Sequence, residues 1–409
     1  MGPAQQLVAL LIFAFTFTVM ALGSWPGLRL DRTGAAVVGA GAMVASGVLS
    51  LEEAWRAIHY ETILLLFGMM IVVANLRLAG FFPAVAQWFV RRAHAPATLL
   101  AVVVAVTGVL SALFVNDTIC LVMTPLVLAI TRTLERRPLP YLLAVALASN
   151  AGSAATITGN PQNMMIGGFS GIPYGVFAAA LAPVALFGMA VTYGVLRWVH
   201  REEFAGGGHV EIPATAAPVD RWLLGKSLVA AVAMFAAFFA GAPVAGAAMV
   251  AGAALLLTRR VRPAAVYAEI DWPLLVLFAG LFAVLAGVEK TGFDEALFAG
   301  ASRLGLARLP VLSFASLLLS NLISNVPAVL LCKPFIERLP QAQEAWLVLS
   351  MSATLAGNLT LAGSLANLIV AERARETHRI GFGEYARVGV PVSVLTVAGG
   401  AVWLLWLRP

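Results

Sequence analysis

The residues best suited to chemistry lie in runs that would otherwise be apolar throughout. In ALASNAGSAATITGNPQNMMIGG, residues 146–168, Asn150, Ser153, Thr156, Thr158, Asn160 and Asn163 surround Gly152, Gly159 and Pro161. Hydrocarbon penalises unpaired amides, and a glycine-proline interruption frees backbone groups that a helix would have paired. Such a segment suits the binding of an ion or a polar solute at membrane depth. Asn358, Thr360, Ser364 and Asn367, with Gly357 and Gly363, form a second polar break. Two more interruptions, FVNDT (Asn116, Asp117, Thr118) and LISNVP (Ser324, Asn325), divide the apolar stretches 97–131 and 309–337. Small polar residues also glue helices together, but glue has no reason to recur in paired, interrupted segments.

Asp117 is the one acid inside a long apolar stretch far from both ends. Membrane-embedded acids are costly and usually functional. Burial favours the neutral carboxyl, so Asp117 is the candidate proton carrier, with sodium ligation through its oxygens as the competing role. An ion pair with Arg77 is the structural alternative. Lys333 lies eight residues past Asn325, about 12 Å along a helix, and is expected to snorkel to the interface. Cys120 and Cys332 sit in apolar segments and read as fillers, not a disulfide. The histidines show no ligand spacing. There is no Walker sequence and no metal cluster, so the chain is not read as an enzyme, and cofactors beyond a coupling ion are not expected.

The elements that must hold these residues are membrane helices. Of 409 residues, 61% are hydrophobic and 11% charged, with a mean hydropathy of +0.91. That composition excludes a soluble domain and disorder. The net charge of +6 resides in short loops and does not mark a nucleic-acid binder. Apolar runs fall near 6–23, 34–50, 61–80, 139–158, 174–199, 222–241, 243–258, 272–289, 342–357 and 386–407. The first is expected to be a retained helix, since no basic region precedes it. The hydrophilic stretch 200–221 reads as a linker between a first transmembrane repeat, 1–199, and a second, 222–409.

Four matches in the same order carry the repeat. VNDTICLVMTPLV (115–127) aligns with SNVPAVLLCKPFI (324–336), placing Asn116 opposite Asn325. TGNPQN (158–163) answers AGSLAN (362–367), and Gly80 answers Gly292 in LRLAGFF and VEKTGFD. GAGAMVASG resembles AGAAMVAG. If 97–131 and 309–337 are re-entrant hairpins, each repeat crosses about five times, adds one broken helix, and the second repeat is inverted. Lys and Arg then favour one face by roughly three to one, so that face is cytoplasmic and both termini lie outside a cell (inner) membrane.

At these residues the chain resembles the ion transporter superfamily that includes ArsB-type arsenite permeases, plant silicon-efflux transporters, NhaD-type antiporters and divalent-anion/sodium symporters. ALFVNDTICLVMTPLV and SNAGSAATITGNPQN are most similar to the arsenite and silicon branch. In the dicarboxylate branch the hairpin tips read Ser-Asn-Thr; here they read Val115-Asn116-Asp117 and Ser324-Asn325-Val326. By position, the resemblance implies two pseudo-symmetric sites at Asn116 and Asn325 with the breaks near Asn150 and Asn358. It also implies elevator-like alternating access and, in many members, homodimers; a separate ATPase subunit is the alternative energy source. The expected function is proton-coupled efflux of a small metalloid oxyacid or oxyanion. Sodium-coupled uptake of an inorganic anion or carboxylate, and cation/proton antiport, are the alternatives. One acid and no buried arginine near the tips favour a neutral solute with a proton.

Overall fold

The computed structural model describes residues 1–25, 27–90, 95–205 and 219–407, so Arg91, Arg92, Arg408 and linker residues 206–218 lie outside the described residues. Those described residues fold into helices and short turns, with one isolated β-bridge, Ser24 to Asp31. The first part runs α1 (Pro3–Leu22), α2 (Arg32–Ala45), α3 (Leu51–Ala57), α4 (Tyr60–Leu78) and α5 (Phe81–Val90). It continues through α6 (Pro96–Leu113), α7 (Asn116–Thr133), α8 (Pro138–Ser153), α9 (Pro161–Ser170) and α10 (Tyr174–Val199). After the short α11 (Arg201–Ala205) come α12 (Arg221–Phe239), α13 (Val244–Leu256), α14 (Pro263–Tyr267), α15 (Trp272–Glu289) and α16 (Phe293–Arg303). The chain ends with α17 (Leu309–Ile323), α18 (Asn325–Ile336), α19 (Ala342–Ala356), α20 (Leu365–Ala374) and α21 (Phe382–Trp406). Element for element, α12–α21 follow the order and relative lengths of α1–α10.

Seven of these helices, α1, α4, α6, α10, α12, α15 and α21, are long and apolar enough to cross a bilayer. Four further apolar helices, α2, α13, α17 and α18, are shorter. Helix starts are set by local chemistry. Asp31 accepts from Gly34 N at 2.8 Å to cap α2, and Asp271 accepts from Leu274 N at 3.0 Å to cap α15.

Two kinds of break interrupt the helices. Between α6 and α7, Phe114 adopts extended backbone and Val115 has φ −55° and ψ 122°; between α17 and α18, Ser324 has φ 77° and ψ 156°. Between α8 and α9 a single 3₁₀ turn, Ile157–Gly159, is flanked by extended Thr156 and Asn160. Leu361–Gly363 does the same between α19 and α20, flanked by Thr360 and Ser364. Glycine is required at Gly159, where a Cβ would strike the Ser153 carbonyl.

Packing between the two parts is reciprocal. Helix α2 lies on α15, and α4 lies on α13. A Cβ on Gly280 would meet the Ala36 backbone at 2.8 Å, and one on Gly68 would meet the Ala248 backbone at 2.6 Å. Small residues thus bring backbones together where no hydrophobic force separates helix from lipid.

Candidate functional site

Asn150, in the last turn of α8, is the centre of a buried polar core. Its Oδ1 accepts from Asn116 Nδ2 at 3.1 Å and from Ser364 Oγ at 3.0 Å. Its Nδ2 donates to Asn358 Oδ1 at 2.9 Å and to Asn367 Oδ1 at 3.0 Å. Every hydrogen-bonding position of this amide is taken. Thr354 is placed correspondingly on α19. It accepts from Asn160 Nδ2 at 3.2 Å and Gln162 Nε2 at 3.3 Å, and donates to Asn163 Oδ1 at 3.2 Å.

The same device closes both breaks. Asn163 Nδ2 donates to the carbonyls of Ser153 (3.2 Å) and Thr156 (2.9 Å). Asn367 Nδ2 donates to those of Gly357 (2.6 Å) and Thr360 (3.1 Å). Carbonyls orphaned by the end of each helix are satisfied this way. Thr158 Oγ1 bonds the Tyr174 hydroxyl at 2.9 Å, and Thr360 Oγ1 donates to Asn321 Oδ1 at 3.0 Å.

Beside this core is a cavity of about 210 Å³ lined by Asn116, Asp117, Gln162, Ser324, Asn325 and Ser364, together with Arg32 and Asp271. The starts of six helices, α2, α7, α9, α15, α18 and α20, contribute to its wall. Each N-terminus carries roughly half a positive charge, and Arg32 adds a guanidinium, so the wall favours anions and electronegative oxygens. Asp117 and Asp271 supply carboxyl groups in the same space. Two buried acceptors, Asn116 Oδ1 and Asn325 Oδ1, have no hydrogen-bond partner among the described residues. Each unmet acceptor costs about 1–3 kcal/mol, and a hydroxyl donor or a cation would meet both.

A smaller cavity, about 60 Å³, shares Asp117 and Asp271 and is also lined by Thr118, Arg77 and Glu269. Arg77 pairs with Glu269 at 2.6 Å, not with Asp117, because the turn after α14 brings Glu269 to the end of α4. Lys333 stands 3.4 Å from Glu337 and over the Phe169 ring, and does not line the solute cavity.

Of the residues predicted from the sequence, Asn116, Asp117, Ser324, Asn325 and Ser364 face the cavity. Asn150, Ser153, Thr158, Asn160, Asn163, Asn358 and Asn367 are packed in the buried polar core, and Thr360 borders it half-buried. Arg32, half-buried rather than buried, lines the cavity beside the tips and brings a cation there that the sequence did not point to. More than 80 residues separate Arg32 from Asn116 in sequence, and packing of α2 on α15 closes that distance. Arg32, Asp271, Gln162 and Thr354 were missed. For Arg32 and Asp271 the available signal was an aspartate at a helix start, a capping position that also aims the helix dipole.

The fold is that of a multi-pass helical membrane protein with polar helix breaks beside an internal cavity. The chain belongs to the CitMHS family, described as citrate transporter and part of the ion transporter superfamily, whose profile matches residues 8–352. An uncharacterized transporter of Mycobacterium tuberculosis (strain CDC 1551 / Oshkosh) is 32% identical over 99% of both chains. Silicon efflux transporter LSI3 of Oryza sativa subsp. japonica is 30% identical over 95% of both. Among solved structures, the Alcanivorax borkumensis YdaH transporter superposes with a TM-score of 0.63 at 16% identity, covering 99% of this chain and 98% of that one.

Proposed function

We propose that the chain is a secondary transporter that exports a small oxyacid or oxyanion, of the arsenite or silicic-acid kind, in exchange for protons. The observation that carries this is the pair of unpartnered amide oxygens, Asn116 Oδ1 and Asn325 Oδ1. A hydroxylated acid offers O–H donors to both, while Arg32 and the helix N-termini meet its electronegative oxygens. At about 210 Å³ the cavity is smaller than the about 300–1,000 Å³ typical of organic-ligand pockets. Likeness to a silicon efflux transporter supports the same solute class. Asp117, shared by both cavities, is the proton carrier.

The matching element order and reciprocal packing support an inverted pair of repeats, 1–199 and 222–409. In this arrangement α6–α7 and α17–α18 are hairpins entering from opposite faces, and both termini are outside. Proteoliposomes under imposed pH or sodium gradients, offered arsenite, silicic acid, sulfate and citrate, test the function. Proton-driven movement of an oxyacid is expected, and Asp117→Asn should abolish the pH response while leaving solute exchange. A pH response at the wild-type rate in that variant removes Asp117 from the coupling role.

A second reading, a sodium-coupled carboxylate permease, is favoured by Arg32 and the six helix N-termini, which suit a carboxylate, and by the citrate description of the family. Citrate uptake that follows sodium and ignores pH would select it.

A further inference from the structure

A separate cavity of about 560 Å³ lies where the start of α8, the end of α10 with α11, and the α20–α21 connection meet. Arg137, Arg201 and Arg387 line it with His200 and His378, so both parts of the chain contribute. The two carboxylates present are already engaged. Glu203 is buried and accepts from the Tyr141 hydroxyl at 3.4 Å, and Glu202 stands 3.6 Å from Arg137. Among the described residues Arg201 and Arg387 have no ion-pair partner, and the buried His200 Nε2 has no hydrogen-bond partner. Burial first, then the charge of Arg387, hold the His200 imidazole below its ordinary range, with Arg137 adding to this against the pull of Glu384.

Arginines at a cytoplasmic interface often do no more than fix orientation. That role needs neither convergence from two distant parts of the chain on one cavity nor a buried ring nitrogen left bare. Guanidinium forks match phosphate oxygens, and basic pockets between membrane helices take anionic headgroups. We infer that this cavity binds a phosphate-class oxyanion, a chemistry shared by an anionic lipid headgroup and by free phosphate, through Arg137, Arg201 and Arg387. The inference does not depend on which solute is transported. An anion seated there would join α8 and α10 to α21, and so would brace the two parts of the chain against each other.

The full-length protein in nanodiscs of phosphatidylcholine with added phosphatidylglycerol tests the lipid source, with native mass spectrometry counting retained lipid. Calorimetric titration with inorganic phosphate in detergent tests the free anion. Wild type is expected to bind in at least one arm. Arg387→Gln and Arg201→Gln should each weaken that binding by roughly tenfold, equivalent to about 1.4 kcal/mol, and Arg387→Lys should weaken it less. Lipid retention without phosphate binding assigns the headgroup; saturable phosphate binding alone assigns the free anion. Absence of binding in both arms overturns the proposal, as does undiminished binding by the glutamine variants. Both arginines are exposed and, among the described residues, without an ion pair, and melting in pure phosphatidylcholine confirms that the variants are folded.

Discussion

Replacing Asn150 with leucine should destabilise the whole bundle, because one amide joins four partners from separate parts of the chain. The change strips Asn116 Nδ2, Ser364 Oγ, Asn358 Oδ1 and Asn367 Oδ1 of a partner in a buried site. Hydrogen bonds within membranes average about 0.6 kcal/mol, and those in soluble cores about 1 kcal/mol. Four of them give a loss of about 2–4 kcal/mol, a large share of a typical stability of about 5–15 kcal/mol. Unfolding entropy near 2 cal/mol/K per residue, over 409 residues, makes 3 kcal/mol equivalent to a fall of about 3–4 °C. Helices that persist in detergent lower that entropy, so the shift can only be larger. Melting followed by size-exclusion of the detergent-solubilised protein measures it. Ser364→Ala removes one Asn150 bond together with the cap that Ser364 Oγ gives Ala366 N, and should cost about 1–2 kcal/mol. A leucine variant melting within about 1 °C of wild type would refute the bracing role.

Asn116→Ala and Asn325→Ala should each weaken solute or ion binding by roughly tenfold or more while the protein remains folded; equal affinity in equilibrium binding assays would return both residues to a packing role. Gly152→Ala drives a methyl into the Gly108 backbone, so about 1–3 kcal/mol should be lost, whereas Gly194→Ala meets open space and serves as the neutral control. At the surface, hydrogen bonds from Lys290 first, then from the Ser50 backbone, hold the Glu53 carboxyl down to about 2. A depressed carboxylate contributes stability that is full above about pH 4.5 and lost as pH falls toward 2. Glu53→Gln should therefore flatten that acid limb of the melting curve, and an unchanged slope would count against the link to Lys290.

Much of the helix framework was legible because lipid demands long apolar runs. The expected run 174–199 and the helix Tyr174–Val199 coincide, and 272–289 matches Trp272–Glu289. Polar breaks were legible for the same reason, since an asparagine or an unpaired carbonyl stands out in hydrocarbon. The short helices α5 and α16 were not: α5, though apolar, has only ten residues, and the charges of α16 interrupt its apolar face. Partnerships set by tertiary packing were also hidden. Asn150 reads as a ligand in sequence, yet its amide is fully occupied by four side chains. Thr354 occupies the corresponding place with a different residue type, so an asparagine-to-asparagine comparison passes over it. Arg77 was set against the wrong acid because Glu269, 192 residues later, reaches it only in the folded chain.

The crossed pairing of α2 with α15 and of α4 with α13 has a consequence for biogenesis. When α4 has left the ribosome, 165 residues still separate its end from the start of α13, roughly 10–30 s of synthesis at about 5–20 residues per second. During that interval the close-packing faces at Ala36 and Gly68 have only lipid or an insertion chaperone to cover them. The N-terminal part cannot mature as an autonomous unit, and a truncation within the linker should yield a product that quality control removes. Co-expressed as separate polypeptides, the two parts should rescue each other, because each supplies the helices that the other lacks.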